Sequence, residues 1–417
     1  MLIEAIQTLK SKLQKSLNNT DKRAKIQDGD FVAAILQAVA RAKGNFTLGT
    51  LRLAVCKIVG TTIGRSSFNE RLGTASLIDH IRLALETLLK SKSSHDNESE
   101  ASQKIATKLG VKTIVGIDGS LVSLWDGLKD HFKGTFTTAS VKLHFATNLV
   151  TGALSWFDLT SGATHDSQRF PRIAKGVLYI FDLGYWSLSL FSDIQNQGGY
   201  FLSRVKSNAK LKVSKVVSGC FGKSIIGADL LSFSIYEKKG NCIEFIATLS
   251  NSSTNMEVRV LGFWNKHQKK YHWYVTNLEA PKNLIRDLYR LRWQIELSFK
   301  SMKSTLNFDQ IPTLSPNAVL SLCLIALCNY VMATLVRAEA DKQQKKSHQK
   351  RVIPSIQRAA FVFRECADDL FSLIRIGSRI TNLKIDRIMN AILPLLRSTF
   401  DPNFKQRQNT AERLYHA

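Results

Sequence analysis

Cysteine is sparse and unpaired in this chain. The six residues Cys56, Cys220, Cys242, Cys323, Cys328 and Cys366 form no C-x-x-C pair and have no histidine at zinc-ligand spacing. This argues against a disulfide framework or a structural zinc and points to a reduced, cytoplasmic protein. No repeat of fixed period is present, which excludes solenoids and propellers. The opening residues MLIEAIQTLKSKLQKSL lack the apolar core and cleavage site of a signal peptide and read as an amphipathic helix. Only one apolar run, Ala318 to Val336, approaches the length of a membrane span. It carries Ser321, Asn329 and Thr334 and has no companion span, so the expectation is a helix buried against a sheet and no membrane partner. Acid is in deficit, with 33 Asp and Glu against 58 Lys and Arg and a net charge of +25. A globular composition with that basic excess makes nucleic acid the first partner to consider.

What is present divides into regions. Residues 1–90 read as helices: Phe31, Val32, Ile35, Leu36 and Val39 keep helical spacing, as do Leu51, Leu53, Ala54, Ile58 and Val59. After the turn GTTIGRSS, Ser67 is placed to cap a third helix running through Leu88. Helix, turn and helix on a basic background suggest a DNA-binding unit. The polar, aperiodic stretch 91–104 reads as a linker. Beyond it the pattern turns to strands. TIVGI ends in Asp118, Gly119 and Ser120 follow, and a second run covers Leu121 to Trp125; a hairpin follows around Thr151-Gly152. VLYIF then ends in Asp182, and a helix over Leu188 to Ile194 leads to the strand YFLSRV, a parallel crossover. Residues 207–276 alternate in β fashion (Leu231, Phe233, Ile235; Ile243, Phe245, Ala247; Val258, Val260; Tyr271, Trp273, Val275) and are too long for a connection, so they read as a β-rich insertion. From Ala338 to Arg351 a basic polar segment precedes two or three helices within Pro354 to Arg397.

The chemistry gathers around PKNLIRDLYRLRWQIELSFKSMKSTL, Pro281 to Leu306. As one α-helix it sets Tyr289, Arg292, Glu296, Lys300 and Lys303 within an arc of roughly 80°. Leu288, Leu291, Ile295, Phe299, Met302 and Leu306 occupy another arc and can pack. Asp118 and Asp182 each close an apolar strand, where a carboxylate is costly unless paired or bound to a cation. With Glu296 they suggest a three-carboxylate cluster whose hard oxygens suit Mg²⁺ or Mn²⁺. Asp158, at a hairpin strand end, and Asp193, in a helix, match the pattern of the second acid less well. His165-Asp166 lies among Gly, Thr and Ser and suits a turn.

Asp118, the D-x-G-Y element Asp182-Leu183-Gly184-Tyr185, and Tyr289, Arg292, Glu296 and Lys303 in the spacing Y-(2)-R-(3)-E-(6)-K resemble the DDE transposases of bacterial insertion sequences. They are most similar to the group carrying that signature, although Gly119-Ser120 departs from the acid or Thr that often follows the first Asp. The resemblance implies an α/β fold: a ribonuclease H-like catalytic domain over 105–340, holding the β-rich insertion and flanked by helical regions at 1–90 and 341–417. It implies Asp118, Asp182 and Glu296 as catalytic ligands of two Mg²⁺ or Mn²⁺ ions. Tyr289, Arg292, Lys300 and Lys303 would then contact DNA phosphates, with Trp273, and Trp264 after it, as the candidate stacking plane for a flipped base. It further implies terminal inverted repeats and target DNA as substrates, a homodimer in the synaptic complex, and a cytoplasmic, nucleoid-associated location. A ribonuclease H-like nuclease without strand transfer, or a DNA-binding protein with an idle centre, would share these residues.

Overall fold

The computed structural model describes residues 2–16, 26–44, 46–96, 99–219, 225–230, 242–251, 254–345, 354–374, 381–399, 410–411 and 414. Six helices come first: α1 (Leu2–Ser16), α2 (Asp28–Arg41), α3 (Leu48–Val59), α4 (Arg65–Leu72), α5 (Ala75–Asp96) and α6 (Glu100–Lys108). Thr47 and Thr50 cap α3 reciprocally, and Gly60 ends it at φ 71°, a left-handed value that suits glycine. The third helix expected from Ser67 to Leu88 is two helices, and Gly64, not Ser67, is the N-cap of the first. They part at Gly73, where a Cβ would stand 2.9 Å from the Ser315 hydroxyl, so a close approach fixes the break.

The stretch 91–104, expected as an open linker, is largely helical. α5 continues to Asp96 and α6 begins at Glu100, with 97–98 outside the described residues. α6 buries Ala101, Ser102, Ile105 and Ala106, one helical face that the polar composition hid.

Nine strands form one sheet in the order β3-β2-β1-β4-β5-β9-β8-β7-β6. They are β1 (Thr113–Ser123), β2 (Ser140–Asn148), β3 (Leu154–Ser161), β4 (Val177–Phe181), β5 (Tyr200–Arg204), β6 (Leu211–Ser218), β7 (Ile243–Ser250), β8 (Asn255–Asn265) and β9 (Lys270–Thr276). β1 and β2, and β2 and β3, pair antiparallel, whereas β1, β4 and β5 run parallel. The last crossover passes through α7 (Leu188–Asn196). This 3-2-1-4-5 core, with an antiparallel meander on one side and parallel strands on the other, is a ribonuclease H-like arrangement. The insertion joins the same sheet, because β9 pairs antiparallel with β5 from Leu202 opposite Thr276. Its strand expected at Leu231 to Ile235 lies outside the described residues. β6 adds a strand beyond the expected alternation; it buries Leu211 and Val213 while Lys212 and Lys215 face solvent.

The two runs read on either side of Gly119-Ser120 are one strand. Antiparallel pairing with β2 carries β1 unbroken through Asp118 opposite Phe145 to Ser123 opposite Ser140. The signature region is α8 (Lys282–Leu291) and α9 (Trp293–Leu306) rather than one helix. At the junction the Arg292 amide bonds the Tyr289 carbonyl three residues back, a tight turn that keeps the helical path.

α10 (Pro316–Lys345), α11 (Ile356–Ile374) and α12 (Asn382–Leu396) complete the fold. The apolar run lies in α10, which is long and apolar enough to span a membrane but is 94% buried over its most apolar window. α1, α2, α5 and α11 pack on it, and it meets the sheet where the Tyr330 ring abuts Phe145. Helices before and after the sheet thus share one apolar core. Polar ties fix the docking. Asn307 donates to the Val39 and Ala42 carbonyls, Gln37 donates to Asp368, and the Tyr330 hydroxyl donates to the Gly152 carbonyl.

Arg337 is 6% exposed and donates to the Pro354 carbonyl at 2.6 Å and the Val150 carbonyl at 2.9 Å, joining α10 to the β2–β3 turn. Arg337→Met would leave both carbonyls buried without that donor. It is expected to cost about 2–3 kcal/mol, measured as a lower urea midpoint with unchanged far-UV circular dichroism.

Candidate active site

The parallel pairing of β1 with β4 ends at Ile117 opposite Phe181. Asp118 and Asp182 are the next residues on the two neighbouring strands, so register alone sets the two acids side by side. β4 stops there and a short 3-10 turn, Leu183–Tyr185, begins, while β1 runs on. Asp118 is therefore a mid-strand residue, not a strand end as the sequence suggested. It lies at the end of one ladder only.

The Asp118 Oδ1 accepts the Gly119 N–H at 2.8 Å. Burial pushes its carboxyl up to about 6, with Asp182 and Asp166 adding to the rise and the Gly119 N–H and Arg292 opposing it. Arg292 stands between the acids. Its Nη1 lies 3.5 Å from Asp118 Oδ2, and its Nη2 donates to Glu296 Oε1 at 2.5 Å. Burial opposes the guanidinium charge, but Tyr289 and the surrounding carboxylates outweigh it and hold Arg292 above its ordinary value. The Arg292 Nε is buried without a hydrogen-bond partner among the described residues. The Tyr289 hydroxyl donates to Asp182 Oδ1 at 3.4 Å, and burial raises its pKa.

Lys303 and Lys300, both expected to face a ligand, have different surroundings. Lys303 is half-buried, donates to the Leu121 carbonyl of β1 at 2.8 Å, and has its pKa lowered by burial. Lys300 is exposed. Trp273 is partly buried on the insertion, its ring over Gly262 and beside Tyr271 and Phe245. Trp264 meets Tyr271 with ring centroids 5.1 Å apart. Both tryptophans thus pack within the insertion. The exposed aromatic nearest the acids in sequence is Trp293, 58% exposed and adjacent to Arg292.

Asp166 is the residue that sequence reasoning set aside. It does begin a short turn, Asp166–Gln168, with His165 accepting the Ser167 N–H as N-cap. Its carboxylate, however, reaches between the two acid-bearing segments. Oδ1 lies 2.8 Å from where a Cβ would stand on Gly119, and Oδ2 lies 2.8 Å from the corresponding point on Gly184. A glycine close behind each aspartate was the available signal. Asp158 instead pairs with Arg169 at 3.5 Å, and Asp193 lies on α7.

A divalent cation fits the chemistry of this set: oxygen donors only, one of them a buried carboxyl whose charge is disfavoured until a cation arrives. Among the described residues no group of three or more His, Cys, Asp or Glu side chains is placed to hold a metal ion, and Arg292 pairs with both Asp118 and Glu296.

A family model described as a transposase DDE domain matches residues 110–332, more than half of the chain. The transposase for insertion sequence element IS231F of Bacillus thuringiensis subsp. israelensis is 21% identical, over 87% of this chain and 85% of that protein. The transposase for insertion sequence element IS1151 of Clostridium perfringens is 25% identical, over 43% of this chain and 46% of that protein. A cryo-EM structure of the piggyBac transposase synaptic complex with hairpin DNA is similar with a TM-score of 0.43 at 11% identity, covering 97% of this chain and 87% of that chain.

Because folding lifts Asp118 from 3.8 to about 6, between those pH values the folded chain holds a proton there that the unfolded chain releases. Ionised Asp118 therefore destabilises the metal-free fold, by on the order of 2–3 kcal/mol above its folded pKa. The penalty fades as pH falls from about 6 toward about 4. Asp118→Asn should raise the urea midpoint at about pH 8 without divalent ions, with the gap to wild type closing toward about pH 4. Equal midpoints at both pH values would contradict the buried-charge account.

Proposed function

This chain belongs to the transposase DDE domain family, and we propose that it cuts DNA at transposon ends and joins the freed ends to a target, the cut-and-paste form of transposition. The observation that carries the reading is the register that sets Asp118 beside Asp182, with Glu296 drawn to them through Arg292. In this reading the three carboxylates hold two Mg²⁺ or Mn²⁺ ions. Bound there, the ions supply a nucleophile activated at neutral pH and stabilise the leaving oxygen of an in-line displacement.

The remaining residues bind and orient. Arg292 offers a planar fork whose Nε has no partner among the described residues, suited to a phosphate oxygen next to the carboxylates. With a phosphate in the site, the guanidinium would pair with it in place of Asp118 and Glu296. Tyr289 donates its hydroxyl, and the raised pKa keeps that proton in place. Lys300 extends toward the backbone of the same duplex. Lys303, anchored on the β1 carbonyl at Leu121, steadies α9 against the strand bearing Asp118 and contributes positive potential. Trp273 serves as the stacking plane only if its ring leaves Gly262. Substrates are terminal inverted repeats, bound by the helices of 1–90, and target DNA. The active assembly is a homodimer on paired ends, located in the cytoplasm at the nucleoid.

The test uses end-labelled duplexes carrying the inverted repeats that flank the gene, with Mg²⁺ or Mn²⁺. Wild type is expected to nick at the repeat end and join the 3′-end to target, while Glu296→Gln binds with unchanged affinity and loses cleavage by about 10³-fold or more. Cleavage without joining would replace the reading with a nuclease, and binding without cleavage in both proteins would replace it with a DNA-binding protein. Arg292→Lys, which keeps the charge and loses the fork, is expected to slow cleavage by roughly 10–100-fold, measured in single-turnover reactions.

A further inference from the structure

Asp166 has no part in the mechanism above, yet it is built into the site. Several groups surround its carboxylate. Lys142, only 12% exposed, lies with Nζ 3.3 Å from Oδ1 and also donates to the Thr164 carbonyl at 2.7 Å. His144 is fully buried; its Nε2 bonds the Thr160 hydroxyl at 3.0 Å, and its Nδ1, without a hydrogen-bond partner among the described residues, lies 3.7 Å from Asp166 Oδ1. The Tyr185 hydroxyl is buried, has no hydrogen-bond partner among the described residues, and feels the charges of both Asp166 and Asp118. Gly119 and Gly184 each leave the space that one carboxylate oxygen fills.

We propose that Asp166 is a positioning residue of the site: its charge, held by Lys142, sets the Asp118 and Asp182 segments at the separation that binds the divalent cation. The inference rests on the proposed metal-dependent reaction. Packing explains why a small planar group fits between two glycines, but not why it is an acid. A third carboxylate next to Asp118 and Asp182 raises the cost of the apo site, and that cost is relieved when a doubly charged cation binds. Lys142 and His144 lie on β2, whose antiparallel pairing places them against the strand that carries Asp118: Lys142 stands opposite Leu121 and His144 opposite Gly119. Lys142 and the first acid therefore share one ladder.

The test is Mn²⁺ binding to the full chain alone, followed by the free-ion electron paramagnetic resonance signal, beside thermal midpoints and repeat-end cleavage. Asp166→Asn keeps the shape and removes the charge. It is expected to keep the wild-type thermal midpoint and DNA affinity, and to raise half-saturating Mn²⁺ by about tenfold in both binding and cleavage. Gly184→Ala keeps every charge but intrudes on Oδ2, and is expected to raise half-saturation in the same direction. The double variant should be no weaker than the weaker single, because both act through one carboxylate. Wild-type Mn²⁺ affinity in Asp166→Asn would overturn the proposal. Should that variant not fold, wild-type affinity in Gly184→Ala would overturn it instead. A wild-type protein that binds Mn²⁺ in this Asp166-dependent way but cuts no repeat DNA would overturn the transposition reading and leave this one standing.

Discussion

A single guanidinium reconciles acids that would otherwise repel. Parallel register brings Asp118 and Asp182 together whether or not the surroundings favour it, and the local apolar packing that builds the strands also removes water from Asp118. Arg292 answers that charge from the opposite wall, pairing with Asp118 across the site and with Glu296 on its own helix. The position of α9 thus depends on the strands, and the tolerance of the strands for their carboxylates depends on α9. The break at Arg292 serves this arrangement, since it lies between the helix that supplies Tyr289 and the one that supplies Glu296.

The scaffold beneath is continuous in two senses. The insertion extends the sheet edge through β5 and β9 instead of hanging from it, so a contact made by its strands is carried along a hydrogen-bonded ladder to the strand next to Asp182. The flanking helices close over α10 from both ends of the sequence. Polar ties, such as Gln37 to Asp368 and Asn329 to the Leu36 carbonyl, give that apolar bundle a fixed registration that greasy contact alone would leave loose.

The features that could be read from the chain were those with local periodicity. β4 followed by Asp182, the hairpin of β2 and β3, and the nearness of Tyr289, Arg292 and Glu296 all follow from spacing over a short stretch of chain. What could not be read depends on partners distant in sequence. β1 looked like two strands because Asp118, Gly119 and Ser120 resemble a turn, and only pairing with β2 across Asp118 shows otherwise. α6 looked like linker because a short helix needs few apolar residues when the sheet and Asn148 meet its buried face. Asp166 looked like an ordinary turn residue because its significance lies in two glycines that lie 47 residues before and 18 after it in the chain.

α10 also bears on how the protein is made. Its apolar window has a mean hydropathy of 2.2, enough to be taken for a membrane anchor while it emerges from the ribosome. Of the helices that cover it, α1, α2, α4, α5 and α9 precede it in the chain, while α11 and α12 come later. When the segment leaves the exit tunnel, most of its walls have already been synthesised and can receive it. The order of the elements along the gene therefore protects the most vulnerable stretch of the nascent chain from the wrong solvent.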